Sequence, residues 1–305
     1  MDTSPCDETV VVGDDGRWRS RRAVDFAAEE ARRRGLPLTV LTVSEPDSHR
    51  EARLPAPRSA RQHVVRQLDH RQHVTSGTHA APPGVPVHDL VLVDPSDDDL
   101  ARCLTGAALL VVGARGGHGR RAFGLDSTSG RLMHASSCPL VVVPEEGRAR
   151  SSGQPERVVA GVDDGPSDTL VLRAAAAEAT RRGASLQVVH AYARRAGESG
   201  EVALFVARAV VDRQLELAAL DPGLRVTKVL TPEPAASALV HQAASAALLV
   251  IGPRAPIALV GLVTGSVSRQ VLDVVPCPVL LVTPGHPRQT SAVGTFDPPR
   301  GVIRP

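Results

Sequence analysis

Short runs of consecutive apolar residues alternate along the chain with longer segments in which apolar residues recur every three or four positions. The short runs are typical of strands buried on both faces of a sheet, and the longer segments are typical of amphipathic helices. This alternation predicts strand–helix–strand units around a parallel sheet, and therefore the α/β class. The expected strands cover residues 9–13, 37–43, 88–93, 108–113, 139–143, 157–162, 185–191, 225–230, 247–252 and 278–283.

The first and last expected helices show the helical period most clearly. In the first, Val24, Ala27, Ala28 and Ala31 fall on one face, and Gly35 is placed to end the helix. Between strands two and three, the Pro/Gly cluster of residues 80–84 predicts a short second helix with long loops. The last helix repeats the apolar face with Val267, Val271, Val274 and Val275.

Several phrases of the first half recur in the same order in the second half. Residues 138–143 read CPLVVV and residues 277–282 read CPVLLV. Such self-similarity is the signature of a duplicated domain. Two further pairs of segments correspond, residues 10–16 with 158–164 and residues 108–113 with 247–252.

The repeat divides the chain into two homologous domains, residues 1–146 and 155–284, joined by a polar linker at 147–154. Each is expected to be a doubly wound parallel sheet whose ligands bind at the carboxyl ends of the strands. The Pro/Gly-rich tail, residues 285–305, is expected to be disordered.

Composition narrows the range of functions. The 305 residues carry a net charge of +2 and 2% aromatic residues, which disfavours nucleic acid as a partner. Lys228 is the single lysine and does not follow a glycine-rich loop, so a Walker-type phosphate loop is excluded.

No apolar run is long enough to cross a membrane, and the polar start MDTSPCDE predicts a cytoplasmic protein. The four cysteines show no paired short spacing, so reduced structural thiols are expected.

Glycines and an aspartate follow the expected first and fourth strands. A Gly-x-Asp stretch ends at Asp15 in the first half and at Asp163 in the second, and Gly113 and Gly116 precede Ser127 after the fourth strand. Glycines let a loop wrap closely around a phosphate chain, and amide groups at a helix N-terminus hydrogen-bond its oxygens. These stretches therefore indicate a phosphate site at the carboxyl ends of the strands.

The second half carries Gly252 and the pair Gly265-Ser266 at the corresponding positions. Together with the Cys-Pro before each fifth strand, these motifs resemble the universal stress protein family, in a tandem arrangement that covers nearly the whole chain apart from the tail. Two positions depart from the family pattern: Asp126 stands where the family has glycine, and Ala255 replaces the middle glycine.

The resemblance implies an adenine-nucleotide site in each half, with ATP and Mg²⁺ as expected ligands, aspartate near the nucleoside and Mg²⁺, and strand two against the adenine. The residues implied in the second half are Asp163, Ala191, Gly252, Arg254, Gly265, Ser266, Val267 and Ser268. Those implied for the weaker first-half site are Asp15, Val43, Gly113, Gly116, Ser127, Thr128 and Ser129.

The substitutions affect the two sites differently. A carboxylate of Asp126 about 4 Å from a phosphate would cost up to ~4 kcal/mol at an effective dielectric near 20, unless a cation intervened. In the second half, Pro256 removes one amide donor. The second site is therefore expected to be less damaged than the first.

Alternatives remain open at this point. Asp15 and Asp163 would equally suit the N-terminal cap of the first helix of each half.

The first functional hypothesis is a non-enzymatic, ATP-binding stress-response protein whose ligand state regulates an unidentified protein partner. The second is a structural or regulatory scaffold that has lost its ligand. Binding ranks above catalysis because no Gly-x-Ser-x-Gly elbow or other activated nucleophile is present. Slow ATP hydrolysis with a bound Mg²⁺ is the third hypothesis, since water could be oriented there without a dedicated base.

Single-domain members of the family pair through strand five. The resemblance therefore implies an internal pseudo-dimer in which residues 140–143 lie against residues 280–282. Edge strands as apolar as these need a cover, which agrees with such pairing. Whether two chains then form a homodimer is left open.

Overall fold

The structure, a computed structural model, describes residues 6–14, 20–44, 66–69, 83–114, 128–145, 155–194, 196–252 and 266–282. The first half contains β1 (Val10–Gly13), α1 (Arg21–Arg34), β2 (Leu38–Ser44), β3 (Arg66–Asp69), β4 (Val87–Val93), α2 (Asp97–Leu104), β5 (Leu109–Gly113), α3 (Thr128–Ala135) and β6 (Leu140–Val143). The second contains β7 (Arg157–Val162), α4 (Asp168–Arg182), β8 (Ser185–Ala191), α5 (Gly200–Ala218), β9 (Val226–Thr231), α6 (Ala235–Ala243), β10 (Leu248–Ile251), α7 (Ser266–Val274) and β11 (Val279–Leu281).

Within the described ranges, the strands form one sheet of eleven, in the order β3-β4-β2-β1-β5-β6-β11-β10-β7-β8-β9. Neighbouring strands within each half run parallel, apart from β3, which runs antiparallel to β4. The halves meet at β6 and β11, which pair antiparallel with Val141 opposite Leu280. The predicted fold is confirmed: two doubly wound α/β domains in tandem, joined through the last strand of each, β6 and β11, as an internal pseudo-dimer.

Both faces of the sheet are buried, as its continuous apolar strands require. Val10 and Val141 belong to a core that also contains residues of α1, α4 and α5. Val11 and Val142 point to the other face, into a core shared with α2, α3, α6 and α7. Each core includes strand residues of both halves, so burial of apolar surface continues across the junction.

Helix α1 forms as its sequence period predicts. Ala27, Ala28 and Ala31 are buried, and Val24 is half-buried. The helix ends at Gly35, whose φ of 64° is in the left-handed region that glycine adopts without strain.

Helix α7 departs from the expected face at one position. Val271 and Val275 are buried and are joined in the core by Leu272, whereas Val274 is exposed. At about 100° per residue, Val271, Val275 and Leu272 share a stripe about 100° wide, and Val274 lies about 60° beyond its edge. The expectation that Val274 faces the core is therefore wrong.

The segment between β2 and β4 contains a strand that the sequence did not reveal. Residues 66–69 form β3, with Arg66 opposite Val91 and Asp69 opposite His88. The short second helix expected in this segment, like the linker at 147–154 and the tail at 285–305, lies outside the described residues.

An ion-pair cluster joins α1 to α4 across the junction. Glu30 and Arg34 of α1 correspond in the internal repeat to Glu178 and Arg182 of α4, and the pairs cross: Arg34 donates to Glu178 at 2.5 Å and Arg182 donates to Glu30. Arg182 also donates to Glu178. Glu30, Glu178 and Arg182 are each about 2% exposed or less, so this junction cluster is buried.

The arginines of the junction cluster keep the carboxylate of Glu178 ionised. Burial raises the pKa of Glu178, but the guanidinium groups of Arg34, Arg182 and Arg181 outweigh burial and bring the pKa down to about 2. Burial and the nearby charge of Glu178 raise the pKa of Glu30, against the opposing effect of Arg182. The carboxylate of Glu178 therefore depends on the arginines to remain ionised inside the protein.

Candidate functional site

A cleft opens in the second half at the carboxyl ends of β7, β8 and β10. Its cavity volume is about 130 Å³. In the sheet, β7 lies between β10 and β8, so the chain order reverses there, which is where open α/β sheets bind ligands. The cleft is lined by Gly161, Val162, Asp163, Ser167, Asp168, Val189, Ala191, Ala235, Leu239, Ile251, Gly252, Val267 and Ser268.

Two glycines at strand ends leave no room for a side chain. A Cβ atom on Gly252 would lie 2.7 Å from Val171 Cγ2, and a Cβ on Gly161 would lie 2.9 Å from Leu239 Cδ2. Both distances are shorter than van der Waals contact between carbon atoms allows. The close packing behind these strand ends therefore requires glycine, and the cleft is lined there by backbone.

The first turn of α7 faces the cleft. This helix begins at Ser266, and Val267 and Ser268 both line the cleft. The first amide groups of a helix have no partner within the helix and carry partial positive charge. The helix start therefore offers amide donors, and Ser268 a hydroxyl group, to an anion in the cleft.

Asp168 organises the loop between β7 and α4. Its carboxylate accepts hydrogen bonds from the amides of Asp163 and Gly165, in each case at 3.2 Å. The Asp168 side chain is 3% exposed, whereas Asp163 is exposed at the edge of the cleft. The loop is thus held from inside by one carboxylate and presents the other to solvent.

Burial raises the pKa of Asp168 to about 6. Amide hydrogen bonds from Asp163 and Gly165 oppose this shift, and the negative charge of Asp163 adds to it. Neutral pH lies above this pKa, so the Asp168 carboxylate is ionised there even though burial favours its protonated form.

This shift makes stability depend on pH in a defined direction. The unfolded chain ionises Asp168 near 3.8 and the folded chain near 6, so the folded state binds more protons between these values. The contribution of Asp168 to the free energy of unfolding is therefore greatest below pH 4 and decreases by about 3 kcal/mol as pH rises through 6. Asp168→Asn is expected to remove this decrease, as measured by urea unfolding at several pH values. Parallel pH profiles for the two proteins would contradict the assignment.

The structure brings five of the eight residues implied for the second half into one cleft. Asp163, Ala191, Gly252, Val267 and Ser268 all line it. Arg254, Gly265 and the side chain of Ser266 lie outside what the structure describes. The alternative of Asp163 as a helix cap is wrong, because α4 begins at Asp168, with Ser167 at the cap position.

Sequence reasoning missed several lining residues, of which Asp168 has the most chemical consequence. An acidic residue at the start of a helix is common because it complements the helix dipole, so its sequence position gives no sign of burial. The apolar wall residue Leu239 was also missed, since its position on α6 becomes apparent only from packing against Gly161.

The corresponding region of the first half differs in its side chains. Ser20 stands where the repeat has Asp168, and its hydroxyl group donates to Asp14. A Cβ on Gly13 would lie 2.6 Å from Leu132 Cδ1, so α3 packs closely on the end of β1. Among the residues implied there, Val43, Gly113, Thr128 and Ser129 lie in β2, β5 and α3, and Asp15, Gly116 and Ser127 lie outside the described residues.

In the part of the chain that the structure describes, no group of three or more histidine, cysteine, aspartate or glutamate residues is arranged to hold a metal ion. None of the helices in this part of the chain is both long and apolar enough to span a bilayer.

Comparison with known proteins agrees with the duplicated fold. Universal stress protein Rv2005c of Mycobacterium tuberculosis is 29% identical over 291 residues, which cover 89% of this chain and 96% of that protein. The crystal structure of a universal stress protein from Archaeoglobus fulgidus overlaps 91% of this chain and 97% of its own at a TM-score of 0.57 and 16% identity. A universal stress protein in complex with cAMP matches 42% of this chain and 97% of its own, at 26% identity and a TM-score of 0.31.

A family model gives the assignment directly. The model of the universal stress protein family matches twice, at residues 8–144 and 155–283. Each match covers one of the two sets of strands that meet at β6 and β11. The chain belongs to the universal stress protein family and carries two of its domains in tandem.

Proposed function

We propose that the second half of the chain binds an adenine nucleotide, with ATP as the expected ligand, in the cleft at the carboxyl ends of β7, β8 and β10. The observation that carries the proposal is that backbone at Gly252 and the first turn of α7 line the same cleft. Backbone without side chains allows a close approach, and a helix start supplies amide donors. The resemblance to universal stress proteins supports an adenine nucleotide as the ligand.

The cleft has separate polar and apolar regions that suit the two ends of a nucleotide. Ser268 and the α7 amides would bind the phosphates, for which charge-assisted hydrogen bonds are strong. Val189, Ala191 and Leu239 form an apolar wall of a kind that suits a purine ring. The adenine is therefore assigned to the end of β8, and the phosphates to the start of α7.

Mg²⁺ would enter with the nucleotide. Magnesium is commonly held by one or two carboxylates together with substrate phosphates and water. Asp163 lies exposed in the lining of the cleft, whereas Asp168 is buried behind it. Asp163 is accordingly the residue proposed to hold the ion.

The role proposed for the bound nucleotide is regulatory and non-enzymatic. Helix α7 begins in the cleft and ends at Val274, whose side chain is exposed. A ligand held by the first turn of α7 would fix the position of this helix and of the surface at its far end. Ligand occupancy would in this way change what the chain presents to an unidentified protein partner.

Ala191→Phe tests the adenine position. A phenyl group at the end of β8 would occupy the proposed adenine site, and we expect ATP binding to be about 5- to 160-fold weaker, which corresponds to an overpacking penalty of about 1–3 kcal/mol. Val43→Phe is the matched control, because Val43 occupies the corresponding position at the end of β2 and is also half-buried. Titration of fluorescent ATP measures both.

If the two variants bound ATP with equal affinity, the proposal that the adenine lies at the end of β8 would be contradicted. If neither variant nor the unmodified protein bound ATP at millimolar concentration, the chain would be a scaffold without its ligand. Steady phosphate release that disappears in Ala191→Phe would instead make the site hydrolytic.

A further inference from the structure

Two cysteines of the first half lie against each other in the core. The Sγ atoms of Cys6 and Cys103 are 3.1 Å apart, and the residues are 0% and 6% exposed. The sulfur atoms of a disulfide are about 2.05 Å apart. A movement of about 1 Å therefore separates the hydrogen-bonded thiols from a covalent bond.

The backbone holds the two cysteine segments together independently of the sulfurs. The amide of Glu8 donates to the carbonyl of Gly106 at 3.0 Å. Gly106 has a φ of 83°, and a Cβ on it would overlap the carboxylate of Asp7. Only glycine permits this approach. The backbone therefore holds residues 6–8 against the end of α2 and keeps the Cys6 and Cys103 sulfurs close together.

We propose that Cys6 and Cys103 form a reversible oxidation site, at which a peroxide produces an intrachain disulfide that joins the segment before β1 to α2. This modification lies outside the nucleotide cleft and does not depend on nucleotide binding.

The two thiols differ in acidity in the sense that this chemistry needs. Their hydrogen bond, reinforced by burial, raises the pKa of Cys6, and the same hydrogen bond lowers the pKa of Cys103. Cys103 is therefore the more acidic of the two thiols and the one that loses its proton more readily to form the attacking thiolate. The thiolate is the nucleophile in reactions of cysteine with peroxides.

The reaction balances with hydrogen peroxide as the oxidant. The Cys103 thiolate attacks one peroxide oxygen, the O–O bond breaks, and the hydroxide that leaves takes up a proton to become water. The resulting Cys103 sulfenic acid is attacked by Cys6, whose proton leaves with the sulfenic hydroxyl as a second water while the S–S bond forms. Two thiols lose two electrons, and one peroxide gains them.

Cys138 and Cys277 provide internal controls. Cys138 is buried and in contact with Ser136, 3.2 Å from its Oγ, while Cys277 is buried in the second half. Burial raises the pKa of both thiols, that of Cys277 to about 12. These two thiols are expected to stay reduced under conditions that oxidise the Cys6–Cys103 pair.

Mass spectrometry of the whole chain after hydrogen peroxide treatment tests the proposal. We expect a loss of two hydrogens, one cross-linked peptide joining Cys6 to Cys103, and no covalent dimer. Because the disulfide would close a long loop, the Tm of the oxidised protein should rise, and dithiothreitol should reverse the rise. Cys277→Ser should retain all of these changes, and both Cys103→Ser and Cys6→Ser should lose them.

The mass measurement on the unmodified protein decides the question even if a serine variant fails to fold. Four intact thiols, irreversible sulfinic or sulfonic acid on a single cysteine, or a cross-link that includes Cys138 would each overturn the proposal. ATP affinity is a separate readout. Disulfide formation should leave it unchanged, and a chain that failed to bind ATP should still form the disulfide.

Discussion

Arg182→Ala is expected to destabilise the protein by about 3–5 kcal/mol, the effect typical of removing one partner from a buried ion pair. Arg182 donates to both Glu30 and Glu178 inside the junction cluster. Without it, two buried carboxylates share fewer positive charges, and neither can be hydrated without opening the contact between α1 and α4. The free energy of unfolding in urea measures the change.

Arg32→Ala is the matched control for this experiment. Arg32 of α1 is likewise an arginine near the end of its helix and in an ion pair, with Glu29 at 2.7 Å, but its side chain is 52% exposed. Pairs exposed to solvent contribute little to stability, so a much smaller loss is expected. Similar losses from the two substitutions would mean that the junction cluster is hydrated and does not stabilise the pseudo-dimer.

Ser268→Asp is expected to weaken ATP binding by up to roughly a thousandfold. A carboxylate about 4 Å from a phosphate group raises the energy by ~4 kcal/mol at an effective dielectric near 20. The same substitution places a negative charge in the first turn of α7, where it complements the helix dipole. Binding should therefore decrease while the helix and the fold are retained, which isothermal titration and thermal unfolding measure together.

Ser129→Asp provides the control in the first half. Ser129 corresponds to Ser268 in the internal repeat and lies in the first turn of α3, also half-buried. If the nucleotide binds in the second half, this variant should keep the affinity of the unmodified protein. If ATP affinity decreased in Ser129→Asp and not in Ser268→Asp, the phosphates would bind in the first domain.

The strands were predictable from the sequence because each buried strand is a run of apolar residues between polar segments. β3 was not, because its residues, Arg66–Asp69, form a short and polar strand at the edge of the sheet, where no apolar run is needed. The junction cluster was equally hidden. Glu30 and Arg182 resemble ordinary helix-surface charges until the two halves meet and bury them.

The candidate site divides in the same way. Gly252 and Ser268 could be located from the repeat because their roles follow from the ends of strands and the starts of helices. Asp168 could not, since its burial results from the path of the β7–α4 loop, whose amides fold back onto its carboxylate. Sequence motifs thus indicate where a ligand approaches the backbone, whereas the groups that hold the loop depend on tertiary packing.

Isothermal titration of the unmodified chain with ATP shows directly whether the second half is a nucleotide site. We expect saturable binding of one ATP per chain, in the cleft of the second half. Absence of saturable heat at millimolar ATP, or binding that persists unchanged in Ser268→Asp, would contradict it.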